Sequence, residues 1–162
     1  MTTTSQKKVR IIGIGNKARG DGGIGQVVAQ AICKRNGVPE FIEAVEGDRD
    51  REQLLDLLEQ CERAIIVDIA EMHMPPGYVR AICGEQIKEE FRSHLSLEIL
   101  NLADTIGTAR KNGVTTPVTL MAVEPCDCSR REGLSSILEQ KLEEITDHVL
   151  NEAVSPKSVR RR

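Results

Sequence analysis

The sequence predicts a three-layer α/β/α protein, in which a mainly parallel, twisted sheet of about five strands is flanked by helices. Short apolar runs that end in Gly or Asp alternate along the chain with amphipathic stretches. Strands that alternate with helices favour a parallel sheet with helices on both faces. Aromatic residues make up only 2% of the chain and Trp is absent, so the core must be built from Ile, Leu, Val and Ala.

The strands are predicted from apolar runs of strand length. The run at residues 8–14 is apolar almost throughout and ends in a glycine-rich stretch, which is typical of a strand buried on both faces. Four further runs predict strands at residues 41–45, 63–70, 78–83 and 117–123. The segment MPPG at residues 74–77 is predicted to be a loop, because its two prolines lack backbone N–H donors.

The helices are predicted from apolar residues at spacings of three and four. One such pattern follows the glycine-rich stretch and ends at KRNG, where basic residues and Gly37 are typical of a helix terminus. The same spacing predicts helices at residues 52–61, 97–110 and 135–153. The carboxyl ends of the parallel strands then share one edge of the sheet, where ligands of such proteins bind.

Composition excludes several classes of function. A net charge of −3 and few aromatic residues argue against nucleic-acid binding. No apolar segment reaches transmembrane length, which predicts a cytoplasmic protein without membrane insertion. Five scattered cysteines are expected to be free thiols. We expect one domain over residues 1–162, with frayed tails at residues 1–7 and 155–162.

The stretch IIGIGNKARGDGGIG, residues 11–25, is the most informative part of the chain. Gly13, Gly15 and Ala18 fit a dinucleotide fingerprint, but the glycines that follow would break the helix this fingerprint needs. We therefore expect no NAD or nucleotide. A second interpretation is a simple turn in which Asp21 caps the following helix.

A third interpretation rests on a family resemblance. G-I-G-N, followed four residues later by Asp21 and then by Gly25, closely resembles the opening of the [NiFe]-hydrogenase maturation proteases. AIIVDIA, PPGYVRAI, SLEILNLADTI and LMAVEP with the later GLS are similar to further segments of that family, in the same order. The resemblance implies an α/β endopeptidase that trims a C-terminal peptide from a nickel-loaded hydrogenase large-subunit precursor.

The resemblance also implies a metal cleft, and here the chain departs from the family. The three ligand positions fall on Gly22, Asp68 and Glu98, where the family has an acid, an aspartate and a histidine. We predict Asp68 and Asp21 as catalytic residues, and Asp68, Glu98 and Asp21 as metal ligands. The predicted substrate loops contain Gly15, Asn16, Gly22, Glu46, Gly47 and Asp48, where EGDR replaces the family's Asp-Gly-Gly-Thr.

The ligand types affect which metal is expected. The family resemblance implies nickel, whereas a set of carboxylates favours a harder ion such as manganese or magnesium. His73 and His94 are further candidates for the cleft, while His148 is expected on the surface. Two functions therefore stay open: a metal-assisted endopeptidase, and a non-catalytic relative that acts as a binding or assembly factor.

Overall fold

The structure, a computed structural model, describes residues 8–48, 50–59, 61–93 and 96–156. Its centre is a five-stranded sheet with the order β2-β1-β3-β5-β4. Four strands are parallel, and β4 runs antiparallel to β5 at one edge. The predicted fold class is confirmed. The strands are β1 Val9–Gly13, β2 Ile42–Glu46, β3 Arg63–Ile69, β4 Val79–Cys83 and β5 Val118–Val123.

Helices connect these strands, and polar side chains cap three of them. The Asp50, Ser96 and Ser135 side chains each accept a hydrogen bond from a backbone N–H in the first turn of the helix that follows. The α-helices are α1 Ile24–Lys34, α2 Arg51–Leu58, α3 Ile87–Glu90, α4 Leu97–Lys111 and α5 Ser136–Val154.

The helices cover both faces of the sheet. Successive residues of a strand point to opposite faces, so Ile11 packs in one core and Ile12 in the other. The Ile11 core contains side chains of α1 and α5, and the Ile12 core contains side chains of α2 and α4. The structure therefore has the three layers that the sequence predicts.

Two glycines let α1 begin unusually close to the sheet. A Cβ atom on Gly25 would lie 2.2 Å from the carbonyl oxygen of Val67, and one on Gly13 would lie 1.9 Å from that of Gly25. Both separations are far below any real contact, so only glycine fits at these positions. This close approach holds the glycine-rich loop against the carboxyl ends of β1 and β3.

The structure adds to the predicted elements and corrects one of them. The interpretation of Asp21 as the cap of α1 is wrong, because Gly23 is the capping residue and no side chain bonds there. A 3₁₀ helix, Gly20–Gly23, stands where a loop was expected. The short helix α3 was not predicted, since its four residues are too few to show a periodicity. Predictions for residues 1–7 and 157–162 lie outside the described residues.

Within the described ranges, no helix combines the length and apolar character that crossing a bilayer requires.

Candidate functional site

A cavity of about 280 Å³ lies at the carboxyl edge of the sheet. It is lined by the segment that follows β1, by the end of β3 and by one face each of α2 and α4. Its lining combines two carboxylates, one guanidinium, an amide and a hydroxyl with apolar side chains: Ile14, Arg51, Leu54, Asp68, Glu98, Asn101, Leu102 and Thr105. We call this space the cleft.

Asp68 enters the cleft from the end of β3. The strand lies in the middle of the sheet, between β1 and β5. Asp68 is therefore buried, with only 2% of its surface exposed. The carboxylate oxygen Oδ1 accepts a hydrogen bond from the backbone N–H of Ile69 at 2.8 Å. A rigid central strand therefore presents this carboxylate at a fixed position.

Glu98 enters the cleft from the first turn of α4. Ser96 caps this helix by accepting a hydrogen bond from the Ile99 N–H at 3.2 Å. A carboxylate in the first turn is favoured by the unpaired N–H groups at the helix start. Asn101 and Thr105, three and seven residues further along, lie on the same face and complete the polar wall.

Arg51 supplies the positive charge of the cleft. It is the first residue of α2, and its guanidinium donates a hydrogen bond to the Thr108 hydroxyl on α4. Sequence reasoning missed Arg51, Asn101 and Thr105. The helical spacing from Glu98 would have identified the last two, but no local signal identifies Arg51, because its place in the cleft depends on how α2 packs on α4.

Asp21 lies elsewhere. Its side chain is fully buried and accepts four hydrogen bonds from the segment between β5 and α5. Oδ2 accepts from the N–H groups of Cys126 and Asp127, both at 2.8 Å, and from the Ser135 hydroxyl at 2.9 Å. Oδ1 accepts from the Ser135 N–H at 2.7 Å. The structure thus brings Asp68 and Glu98 together, whereas Asp21 fastens two loops to each other.

The predicted substrate loops are tied to one another beside the cleft. The Asn16 N–H donates to the Gly22 carbonyl oxygen at 2.9 Å, and Gly15 has a φ of +147° that favours glycine. The Gly47 N–H donates to the Gly13 carbonyl oxygen at 2.8 Å. These bonds order the glycine-rich loop next to the end of β2.

Side chains also hold the segment at the end of β2, residues 46–48. Lys17 pairs with Glu46 at 2.8 Å, and this hydrogen bond holds the pKa of Glu46 below its ordinary value of 4.5. The Asp48 N–H donates to the Gln53 side-chain oxygen, also at 2.8 Å. Arg49 lies outside the described residues.

The loop after β3 is fastened by Glu124. This carboxylate is 7% exposed and accepts hydrogen bonds from the N–H groups of Met72 at 2.6 Å and Met74 at 3.2 Å. His73, between them, adopts a φ of +57°, is exposed and is not part of the cleft lining. His94 lies outside the described residues.

The described residues place no group of three or more His, Cys, Asp or Glu side chains so that it could hold a metal ion. Among the described residues, Asp68 and Glu98 are the carboxylates that line the cleft. Imidazole suits nickel, whereas carboxylates suit magnesium, calcium and manganese. These donors therefore do not fit a resident nickel ion, and a harder ion stays a prediction.

Comparisons with known proteins point in one direction. A model of a family described as hydrogenase maturation protease matches residues 27–152. The hydrogenase 2 maturation protease of Escherichia coli (strain K12) is 26% identical over 145 residues, which span 88% of this chain and 88% of that relative.

Solved structures agree with this match. The E. coli hydrogenase maturating endopeptidase HybD superposes with a TM-score of 0.76 at 25% identity, over 88% of this chain and 89% of that one. A hydrogenase 2 maturation peptidase from a Thaumarchaeota archaeon superposes with a TM-score of 0.64 at 25% identity, over 93% and 100% of the two chains.

Proposed function

Since the chain belongs to the hydrogenase maturation protease family, we propose that it is an active endopeptidase that removes a C-terminal peptide from a nickel-loaded hydrogenase large-subunit precursor. One observation carries the proposal. Asp68 and Glu98 come from distant parts of the chain, and both line one cleft at the carboxyl edge of the sheet.

The cleft has the groups that hydrolysis of a peptide bond needs. Water adds to the peptide carbonyl carbon, the C–N bond breaks, and a proton moves from the water to the leaving amine. In the proposal Asp68 accepts the proton from water, because its carboxylate is held rigidly at the cleft. Arg51 offers a positive charge near which the negative charge on the carbonyl oxygen develops.

Glu98, Asn101 and Thr105 form the wall that orients the peptide. The neighbouring Leu97 side chain is 69% exposed and offers an apolar contact to the precursor. Nickel belongs to the precursor in this proposal, as its cargo. A divalent ion near a peptide carbonyl polarises it, and Asp68 and Glu98 are the oxygen ligands that this chain could add.

Asp21 has a structural role in the proposal. All four donors to its carboxylate belong to this chain, three of them backbone N–H groups. Because Asp21 is fully buried and its carboxylate is held by these donors, the proposal keeps Asp68 as the proton acceptor and Glu98 as the carboxylate of the cleft wall.

A non-catalytic binding or assembly factor is the second candidate. Two of the three positions that resemble the family's ligands are Gly22 and Glu98, and Arg51 brings a cation into the cleft. A site that has lost catalysis would tolerate such changes, although it would still bind the precursor.

Intact-mass analysis of the nickel-loaded precursor, incubated with the parent protein or with Asp68→Asn, tests the proposal. We expect the parent to release a defined C-terminal peptide and Asp68→Asn to lower the rate by about 100-fold or more. The control Asp56→Asn, on the exposed side of α2, should cut as the parent does. A stable complex without cleavage by the parent would refute the protease and favour the assembly factor.

A further inference from the structure

A second, open groove of about 530 Å³ lies on another part of the surface. Two loops line it, the one after β1 and the one between β5 and α5. Every lining residue is exposed: Asn16, Ala18, Arg19, Arg130, Arg131 and Glu132. We call it the arginine groove.

Backbone hydrogen bonds join the two loops, which gives the groove a fixed floor. Arg19 and Arg131 form an isolated parallel bridge. The Gly20 N–H donates to the Arg131 carbonyl oxygen at 2.9 Å, and the Arg131 N–H donates to the Ala18 carbonyl oxygen at 3.2 Å. The buried carboxylate of Asp21 fastens the same two loops from below. The arginines therefore stand on a rigid base.

The groove is more positive than the charge of the chain predicts. The whole chain has a net charge of −3, yet the groove has three arginines and one glutamate. The Arg131 guanidinium pairs with Asp127 at 3.3 Å. Within the described residues, the guanidinium groups of Arg19 and Arg130 have no hydrogen bond or ion pair. Arg19 and Arg130 are thus exposed to solvent, and among the described residues no group uses their guanidinium donors.

From this we infer that the arginine groove docks an acidic peptide segment of the protein's macromolecular partner. Guanidinium groups bind carboxylates through paired hydrogen bonds, and two open arginines match two acidic side chains. The Glu132 carboxylate repels the phosphates of a nucleic-acid backbone, but it can accept a hydrogen bond from a peptide N–H. None of the described residues that line the groove is aromatic, so they offer no side chain on which a base could stack. These features favour a peptide over a nucleic acid.

The loop after β1 contributes residues to both the groove and the cleft. Ile14 lines the cleft, and Asn16, two residues further along the same loop, lines the groove. In this inference, a partner that places a peptide bond in the cleft presents another of its segments to the groove. This part of the inference rests on the proposed function, in which the partner is the hydrogenase precursor.

Binding of synthetic peptides tests the groove without any need for catalysis. The probe is a fluorescein-labelled (Gly-Glu)4 peptide, measured by anisotropy at low salt against a (Gly-Gln)4 peptide and a single-stranded octanucleotide. We expect the parent to bind the acidic peptide about tenfold more tightly than the neutral one, and the preference to weaken as salt is added. The double variant Arg19→Glu/Arg130→Glu should lose this preference.

The matched control is Lys8→Glu/Lys111→Glu, which changes the net charge by the same amount at two exposed lysines outside the groove lining. It should bind as the parent does. An equal loss in the control would overturn the inference, because net charge and not the groove would then explain binding. Tighter binding of the octanucleotide than of the acidic peptide would overturn it in favour of a nucleic acid.

The precursor gives a second readout. Arg19→Glu/Arg130→Glu should raise KM for processing about tenfold and leave kcat at saturation unchanged. An unchanged KM, with peptide binding lost, would overturn docking of the precursor in the groove. If the parent cuts no precursor, the proposed function fails, and the peptide experiment still decides the chemistry of the groove. Circular dichroism of the double variant checks that the fold is intact.

Discussion

Replacing Asp21 with Asn changes one oxygen of a buried carboxylate into an N–H donor and keeps the shape of the side chain. In the parent, Oδ2 accepts three hydrogen bonds and Oδ1 accepts one, from the Ser135 N–H at 2.7 Å. The variant loses least stability when the amide nitrogen takes the position of Oδ1, because only one of the four hydrogen bonds ends there. There its hydrogens face the Ser135 N–H, which then has no acceptor.

The magnitude follows from these four bonds. A buried N–H without a partner costs about 1–3 kcal/mol. The remaining three bonds lose the contribution of the carboxylate charge, which makes such bonds roughly twice as strong as neutral ones. We expect Asp21→Asn to lower the free energy of unfolding by about 3 kcal/mol. For a chain of 162 residues this corresponds to a Tm lower by about 6–12 °C.

Urea and thermal unfolding followed by circular dichroism measure this change. The control is Asp147→Asn on α5, whose side chain is 54% exposed and pairs with Arg35. It should change the free energy of unfolding by less than about 1 kcal/mol. Processing by Asp21→Asn, measured well below its transition temperature, should continue.

Two outcomes would refute the structural role of Asp21. The first is an unfolding free energy within about 0.5 kcal/mol of the parent, which would mean that the loops do not depend on the carboxylate. The second is a complete loss of processing with the fold unchanged, which would place Asp21 in the chemistry.

Three further predictions concern the cleft, a thiol and the packing of α1. In thermal-shift titrations the parent should be stabilised more by manganese than by nickel. The double variant Gly22→Glu/Glu98→His should reverse that order. An unchanged order would show that the two positions do not share a metal site. Burial raises the pKa of the Cys61 thiol above its ordinary value of 9.0, so its thiolate forms only at higher pH. Alkylation of Cys61 near pH 8, followed by peptide mass analysis, should therefore be slower than that of the exposed thiols, and equal rates would contradict the burial. Gly25→Ala should lower the free energy of unfolding by about 3 kcal/mol or more, because its Cβ would overlap carbonyl oxygens, whereas Gly107→Ala in open space on α4 should raise it by about 0.5–1 kcal/mol.

The elements of the fold followed from local patterns. The apolar run at residues 63–70 predicted β3, found at Arg63–Ile69, and the pattern at residues 135–153 predicted α5, found at Ser136–Val154. The spacing of apolar residues involves only residues that are near one another in the chain, so the sequence alone shows it. The antiparallel direction of β4 was not accessible in this way, because pairing with β5 joins segments that are about 40 residues apart.

The candidate site likewise contains residues that local sequence identified and residues that only the packing of distant segments brought in. Asp68 and Glu98 were selected from the sequence, through the end of an apolar run and a family resemblance, and the structure places both in one cleft. Arg51 was not selected, because nothing in its local sequence indicates that α2 would turn it toward α4. The arginine groove was equally hidden, since its residues come from two loops more than 100 positions apart.

Asp21 shows the difference most clearly. The sequence by itself determined that a carboxylate would stand in a glycine-rich loop at the carboxyl edge of a parallel sheet. It left three roles open for that carboxylate: helix cap, metal ligand and catalytic group. The tertiary structure placed Ser135 and the backbone of Cys126 and Asp127 around it, more than 100 residues along the chain. A buried carboxylate takes its role from the donors that reach it, and only the order of the strands decides which donors those are.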